Sequence, residues 1–208
     1  MTRSKSVAAL CLVATMSACA TAPETKKPED IGPTAGAFYP LAVGTRWTYE
    51  VNLLGEKRTI DVAIERQTPE GFAVDSTGAQ LLVDAYGVRD QKRYLLRNPI
   101  EAGTKWTNVV SVSSVEQYEI LAAGQPCDAP AGTWQGCVIV ESRNRVEEGK
   151  VLVNEMTFAP GVGIVRLSTV LEARGQRIPQ SSLALTAYTR PSSGGGGPRL
   201  LDAAQPGH

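Results

Sequence analysis

The sequence predicts a single all-β domain: an antiparallel, curved sheet of about ten strands, folded over as a sandwich or barrel. Three observations predict it. Apolar residues recur with a period of two, glycine-bearing breaks fall at hairpin spacing, and no stretch carries the 3.6-residue period of an amphipathic helix. Successive side chains of a strand point to opposite faces, so this alternation marks one buried and one wet face. A helix would instead throw Val62 away from Ile60 and Ile64.

In chain order, Trp47, Tyr49, Val51 and Leu53 alternate with Thr48, Glu50 and Asn52. After a turn at Gly55-Glu56, Ile60, Val62 and Ile64 alternate with Asp61, Ala63 and Glu65. The pattern returns in Val138/Val140, in Leu152/Met156/Phe158 and in Val165/Leu167/Leu171, and ends with Leu183, Leu185 and Ala187. Breaks near Gly71, Gly78, Gly87, Gly103, Gly124, Gly149 and Gly161 supply the turns. A flat sheet this wide would expose too much apolar surface, and no helix is available to cover it. The sheet therefore has to curl, opening in part on a concave apolar face with at most a small cavity near Trp47 and Trp106.

One nine-residue segment occurs twice. Pro40-Leu41-Ala42-Val43-Gly44-Thr45-Arg46-Trp47-Thr48 returns as Pro99-Ile100-Glu101-Ala102-Gly103-Thr104-Lys105-Trp106-Thr107. Pro and Gly set a turn, and Trp anchors the strand that follows. Two related halves would produce this echo, and so would one turn solution used twice. A shorter relative, Pro130-Ala131-Gly132-Thr133-Trp134, favours the second reading.

The domain is expected over residues 38–190, between segments of different composition. Residues 1–18 read as a signal peptide: Arg3 and Lys5, then an uncharged run from Ser6 to Ala18 too short to span a bilayer. Met16-Ser17-Ala18-Cys19 resembles the bacterial lipobox, in which an aliphatic and two small residues precede a cysteine that receives the lipid. By that resemblance Cys19 becomes the acylated N-terminus, and Ala20 after it implies sorting to the outer membrane, facing the periplasm. Two or three acyl chains anchor stably where one is marginal. Residues 19–37, rich in Pro, Thr and charge, read as a tether, and the Gly/Pro-rich residues 191–208 as a low-complexity tail.

Of the 4 cysteines, Cys11 leaves with the signal and Cys19 carries lipid, so Cys127 and Cys137 remain. An even pair in an exported protein reads as a disulfide across a turn-rich loop. A redox pair is the alternative, but the Cys-x-x-Cys spacing is lacking. The chain has 21 basic and 21 acidic residues, and the signal removes two of the basic ones. A near-neutral surface lacks the basic stripe that a nucleic acid requires.

Phe38-Tyr39-Pro40-Leu41 through Gly44, Trp47 and Tyr49 resembles the opening of a group of uncharacterised bacterial envelope lipoproteins. Pro130-Ala131-Gly132-Thr133-Trp134 with Cys137, and Phe158-Ala159-Pro160-Gly161-Val162-Gly163-Ile164-Val165, are similar to later segments of that group. These motifs are turns and anchors. The resemblance implies a class of protein and supplies no catalytic residues.

The 1 histidine is His208, the last residue, so neither a Ser-His-Asp or Cys-His arrangement nor a histidine-rich metal site is expected. Gly161-x-Gly163 leads into more strand and lacks the helix that a dinucleotide loop requires. Asp61, Asp75, Asp84, Asp90, Glu116, Glu119 and Glu141 could pair for acid–base work, yet each sits where a wet strand face or a turn wants a carboxylate. Arg89, Lys92, Arg93 and Arg97 form a basic patch, readable as a contact for anionic glycolipid or cell-wall polymer, or more simply as a charged edge strand. Trp47 and Trp106 could line a ligand site, although a core anchor is the commoner role after a Gly-Thr turn.

The expectation is a non-enzymatic, membrane-anchored lipoprotein without cofactor or metal, binding an envelope protein or an apolar ligand. A purely structural envelope protein and a histidine-free hydrolase are the alternatives. An enclosed apolar cavity would favour the ligand, an open apolar patch the protein partner, and converging carboxylates catalysis.

Overall fold

A computed structural model describes residues 32–191, and Cys19 lies outside them. The chain is all-β, with twelve strands and one short 3₁₀ turn, η1 (Ala35–Ala37). The strands are β1 (Arg46–Leu53), β2 (Glu56–Gln67), β3 (Ala73–Asp75), β4 (Gln80–Asp84), β5 (Gly87–Arg89) and β6 (Tyr94–Arg97), then β7 (Lys105–Ser111), β8 (Ser114–Ala129), β9 (Gly132–Glu147), β10 (Lys150–Ala159), β11 (Gly163–Ala173) and β12 (Gln176–Thr189). They form one antiparallel sheet in the order β6-β5-β4-β3-β2-β1-β12-β11-β10-β9-β8-β7, nearly closed into a barrel. No described helix is long and apolar enough to cross a membrane, which says nothing of strands.

This order is two runs of six strands joined head to tail through a β1–β12 ladder. The repeated nine-residue segment opens each run, and its two copies are built alike. Gly44 N–H donates to Ile64 O, Thr45 N–H to Ala42 O, and Ile64 N–H to Thr45 O. Gly103, Thr104 and Ile120 make the corresponding bonds to Ile120, Glu101 and Thr104. Gly44 and Gly103 both have φ near +90°, a conformation that glycine adopts freely. The third, shorter copy is different: it forms the β8–β9 hairpin tip, and Trp134 is half-buried there.

The core is continuous but has two centres. Trp47, Tyr49, Ile64, Val165 and Leu185 pack with the β8–β9 tip around Ala129 and Cys137. Trp106, Tyr118, Ile120, Val140 and Phe158 pack around Phe38, with Val88 and Leu96. Tyr39 touches both groups. The chain leading into β1 thus plugs the barrel. Ala35 and Phe38 are fully buried, Ala35 N–H donates to Asn98 Oδ1, and Gly161 N–H donates to Ala37 O. Ala35–Ala37, read from sequence as tether, therefore packs with the barrel. Two small residues, Ala35 and Gly36, fit here where larger ones would not; a Cβ on Gly36 would come 2.8 Å from Val83.

Bulges set the curvature. Three register shifts in the β8–β9 ladder bend that hairpin until its tip reaches across the barrel, where Ala131 N–H donates to Leu185 O and Arg166 holds Asp128. The Cys127–Cys137 disulfide, with Cα atoms 6.0 Å apart, ties the two strands together at this bend. Closing so short a loop contributes about 2–3 kcal/mol. A further bulge in β12 leaves Thr186 unpaired between Ala187, opposite Thr48, and Leu185, opposite Tyr49. It flips the alternation, so Leu183 and Leu185 face inward while Ala187 lies exposed on the outer face.

Candidate functional site

Strands β6 and β7 are the two ends of the sheet, and no backbone ladder joins them. Their seam is where the barrel stays ajar, and its parts follow from local sequence. Asp84 ends β4 and accepts from the N–H groups of Tyr86 and Gly87, from Arg89 Nε at 2.9 Å and from the Tyr94 hydroxyl at 3.0 Å. Burial pushes its carboxyl up, but these four bonds outweigh it and hold the group below the ordinary carboxylate range. Asp90 turns the chain from β5 into β6 by accepting from the Lys92 and Arg93 N–H groups.

Across the seam, side chains stand in for a ladder. The Asn108 amide accepts from Tyr94 N–H at 3.0 Å and donates to Tyr94 O at 3.0 Å, as a paired strand would. The Trp106 indole N–H donates to the same carbonyl at 2.9 Å. Beneath them, Arg93 bridges Asp90 and Glu116, and Glu116 accepts from the Tyr118 hydroxyl at 2.8 Å. Burial and that bond push the Tyr118 phenol well up, so it stays a donor. Glu116 is therefore an inward-facing, buried group and departs from the wet-face placement read from sequence. A groove of about 330 Å³ runs along the seam, lined by Arg89 through Tyr94, Arg97 and Thr107 through Val109. Arg89 is paired with Asp84, and Arg97 lies over the Tyr94 ring; Lys92 and Arg97 have no ion pair among the described residues.

Asn108 was not singled out by sequence reasoning, although a signal existed. Asparagine is depleted in strands, and here one interrupts the run Trp106-Thr107-Asn108-Val109-Val110 at an inward position, 6% exposed. Of the residues that were singled out, Asp84, Asp90, Glu116, Trp106 and the patch of Arg89, Lys92, Arg93 and Arg97 meet at the seam, and the others lie elsewhere. Trp47 and Trp106 are both buried, and Trp47 Nε1 donates to Val162 O at 2.6 Å; Trp106 borders an open groove of about 380 Å³ and Trp47 one of about 200 Å³. Asp75 is buried and closes its own turn through Thr77 and Ala79. Glu119 and Glu141 are cross-strand neighbours on the outer face, in an open groove of about 380 Å³, where Lys105 pairs with Glu119 and Arg143 with Glu141. Arg143 reaches on to Glu172, and that bond holds its guanidinium firmly charged. Among the described residues no group of three or more His, Cys, Asp or Glu could hold a metal ion.

Several exposed apolar side chains gather at hairpin tips, while Val43, Val83, Tyr86 and Leu121 are exposed elsewhere. Val109 is 70% exposed and Val112 wholly exposed at the β7–β8 tip, with Val115 opposite Val109. Leu53, Leu54 and Ile178 are exposed where β1–β2 and β11–β12 turn. These tips lie at the end of the barrel away from Ala37, Gly44, Gly161 and Pro191, which meet at the other.

No protein-family model matches the chain, and no curated protein matches it. Among solved structures, a crystal structure of a "putative lipoprotein" from Parabacteroides distasonis is similar at 14% identity and a TM-score of 0.40, covering 73% of this chain and 98% of that one. So distant a likeness says nothing of function, which has to be read from this chain's own residues.

Proposed function

We propose that this chain is a lipid-anchored envelope protein, held through Cys19, whose β-barrel is a non-enzymatic module for binding a protein partner. One observation carries the choice of partner over apolar ligand. Trp47, Trp106, Tyr49, Tyr118 and Phe158 with the Phe38–Tyr39 plug fill the inside, while Leu53, Leu54, Val109, Val112, Val115 and Ile178 stand on open tips at the end away from Ala37 and Pro191. Open apolar surface rimmed by polar groups suits a protein partner, whereas a carrier needs an enclosed pocket. Among the described residues, four hollows of about 200–380 Å³ are open grooves with charged or polar rims.

The test uses the full-length chain in its native envelope, with a photo-crosslinking residue at Val112 or, at the closed end, at Thr189. A discrete adduct from Val112 and none from Thr189 is expected. Equal labelling from both, or none from either, would remove the reading. Saturable uptake of an apolar fluorescent probe by the purified protein would restore the carrier.

A further inference from the structure

The barrel has two stretches of free backbone edge towards its open end, and they differ in chemistry. One is the first half of β2, which β3 does not reach because their pairing begins at Ile64. It carries Glu56, Lys57 and Arg58, all exposed, the usual means of blunting an edge against unwanted strands. The other is the end of β7, Val109–Ser111, which runs on past the Asn108–Tyr94 link, beyond the first residue of β6. It carries no charge. Val109, Val110 and Ser111 lead into Val112, and Val115 stands opposite Val109. A register shift at Val110 bends this edge without placing a charge on it.

We propose that the β7 edge accepts an added strand from a partner protein, an extended segment in which apolar residues alternate with carboxylates. The proposal rests on the partner-binding reading above and names the kind of partner. The edge supplies unpaired main-chain groups, and strand addition draws its affinity from that ladder and its specificity from alternate side chains. Apolar residues of the incoming strand cover Val109 and Val115. Its carboxylates meet Lys92 and Arg97, the two cations of the seam groove without an ion pair among the described residues. The same two cations oppose a second copy of this chain, which would bring its own Lys92 and Arg97 to the junction. Asn108 already satisfies an edge strand here with an amide that is not backbone.

The probe is a fluorescein-labelled nine-residue peptide alternating valine with glutamate, added to the full-length chain purified from membranes in mild detergent. Two control peptides carry lysine for glutamate, or N-methyl groups on alternate amides. Anisotropy should report binding of the acidic peptide alone, and amide exchange at Val109–Ser111 should slow on binding. Val109→Glu and Lys92→Glu, both at exposed positions and checked for an unchanged melting temperature, should each weaken binding about tenfold or more. No binding, equal binding of either control, unchanged exchange at Val109–Ser111, or self-association lost in Val109→Glu would overturn the proposal. A Val112 crosslink in cells that survives Val109→Glu would remove strand addition and leave the partner reading standing. Absence of any Val112 crosslink removes the partner reading itself.

Discussion

The β1–β12 and β6–β7 junctions occupy equivalent places in the two six-strand runs, and they are closed by different means. Each joins the first strand of one run to the last strand of the other, and each first strand follows the same Pro-x-x-x-Gly-Thr-x-Trp turn. At β1–β12 the backbone closes the barrel, with register pairs from Arg46↔Thr189 to Leu53↔Ser181. At β6–β7 the link is Asn108, Trp106 and Arg93, with β6 four residues long against the seven of β7. A ladder spreads its stabilisation over many bonds of about 0.5–1.5 kcal/mol each, so losing one leaves the rest. A side-chain latch concentrates it in one or two residues. One turn motif can thus start either a sealed junction or one that opens.

The largest expected effect comes from breaking the sealed side. Trp47→Ala removes a buried indole that packs against Tyr39 and Tyr188 and donates to Val162 O, and should cost about 3–5 kcal/mol of global stability by denaturant melts. Next is the latch. Asn108→Ala strips the side-chain acceptor from Tyr94 N–H and leaves Tyr94 O to Trp106 alone, and should cost about 1–3 kcal/mol. Its signature should be local: faster amide exchange at Tyr94, with Tyr49 to Val51 unchanged. A loss as large and as global as that of Trp47→Ala would mean the seam is no latch.

Acid should give the smallest effect and act on the seam first. The Asp84 carboxyl is held below its ordinary range in the folded chain, so its contribution is present above the unfolded carboxylate pKa. It is lost as the pH falls below that range, when the proton displaces Arg89 and the Tyr86 and Gly87 N–H groups. Amide exchange at Tyr86 and Gly87, corrected for its intrinsic pH dependence, should rise there before exchange in β1 does. Asp84→Asn should abolish the acid step, and a step that persists in that variant would place its origin elsewhere.

Much of this contrast was legible in the sequence, but unevenly. The two-residue alternation specifies the class, because a one-residue slip would turn a whole strand inside out. Strands β3 and β5, with three residues each, are too short to show a period, which is why about ten strands were expected and twelve are present. Ala187 is misplaced by simple alternation because nothing local announces the bulge at Thr186. The Ala35–Ala37 part of the plug reads as tether because its fit depends on distant partners, Val83 and Asn98. The cysteine pair and the repeated turn were visible. That the second copy of the turn opens onto an unsealed seam was not, since it depends on how far β6 extends and on one asparagine.

The barrel is sealed by backbone at β1–β12 and only latched at β6–β7. Residue-resolved hydrogen exchange under native conditions tests it most directly. Tyr49, Val51 and Leu183 should exchange by global unfolding alone, following denaturant with the full unfolding slope. Tyr94 should exchange through a local opening that hardly responds to low denaturant. Equal protection and equal denaturant dependence at the two junctions would mean that both are sealed alike.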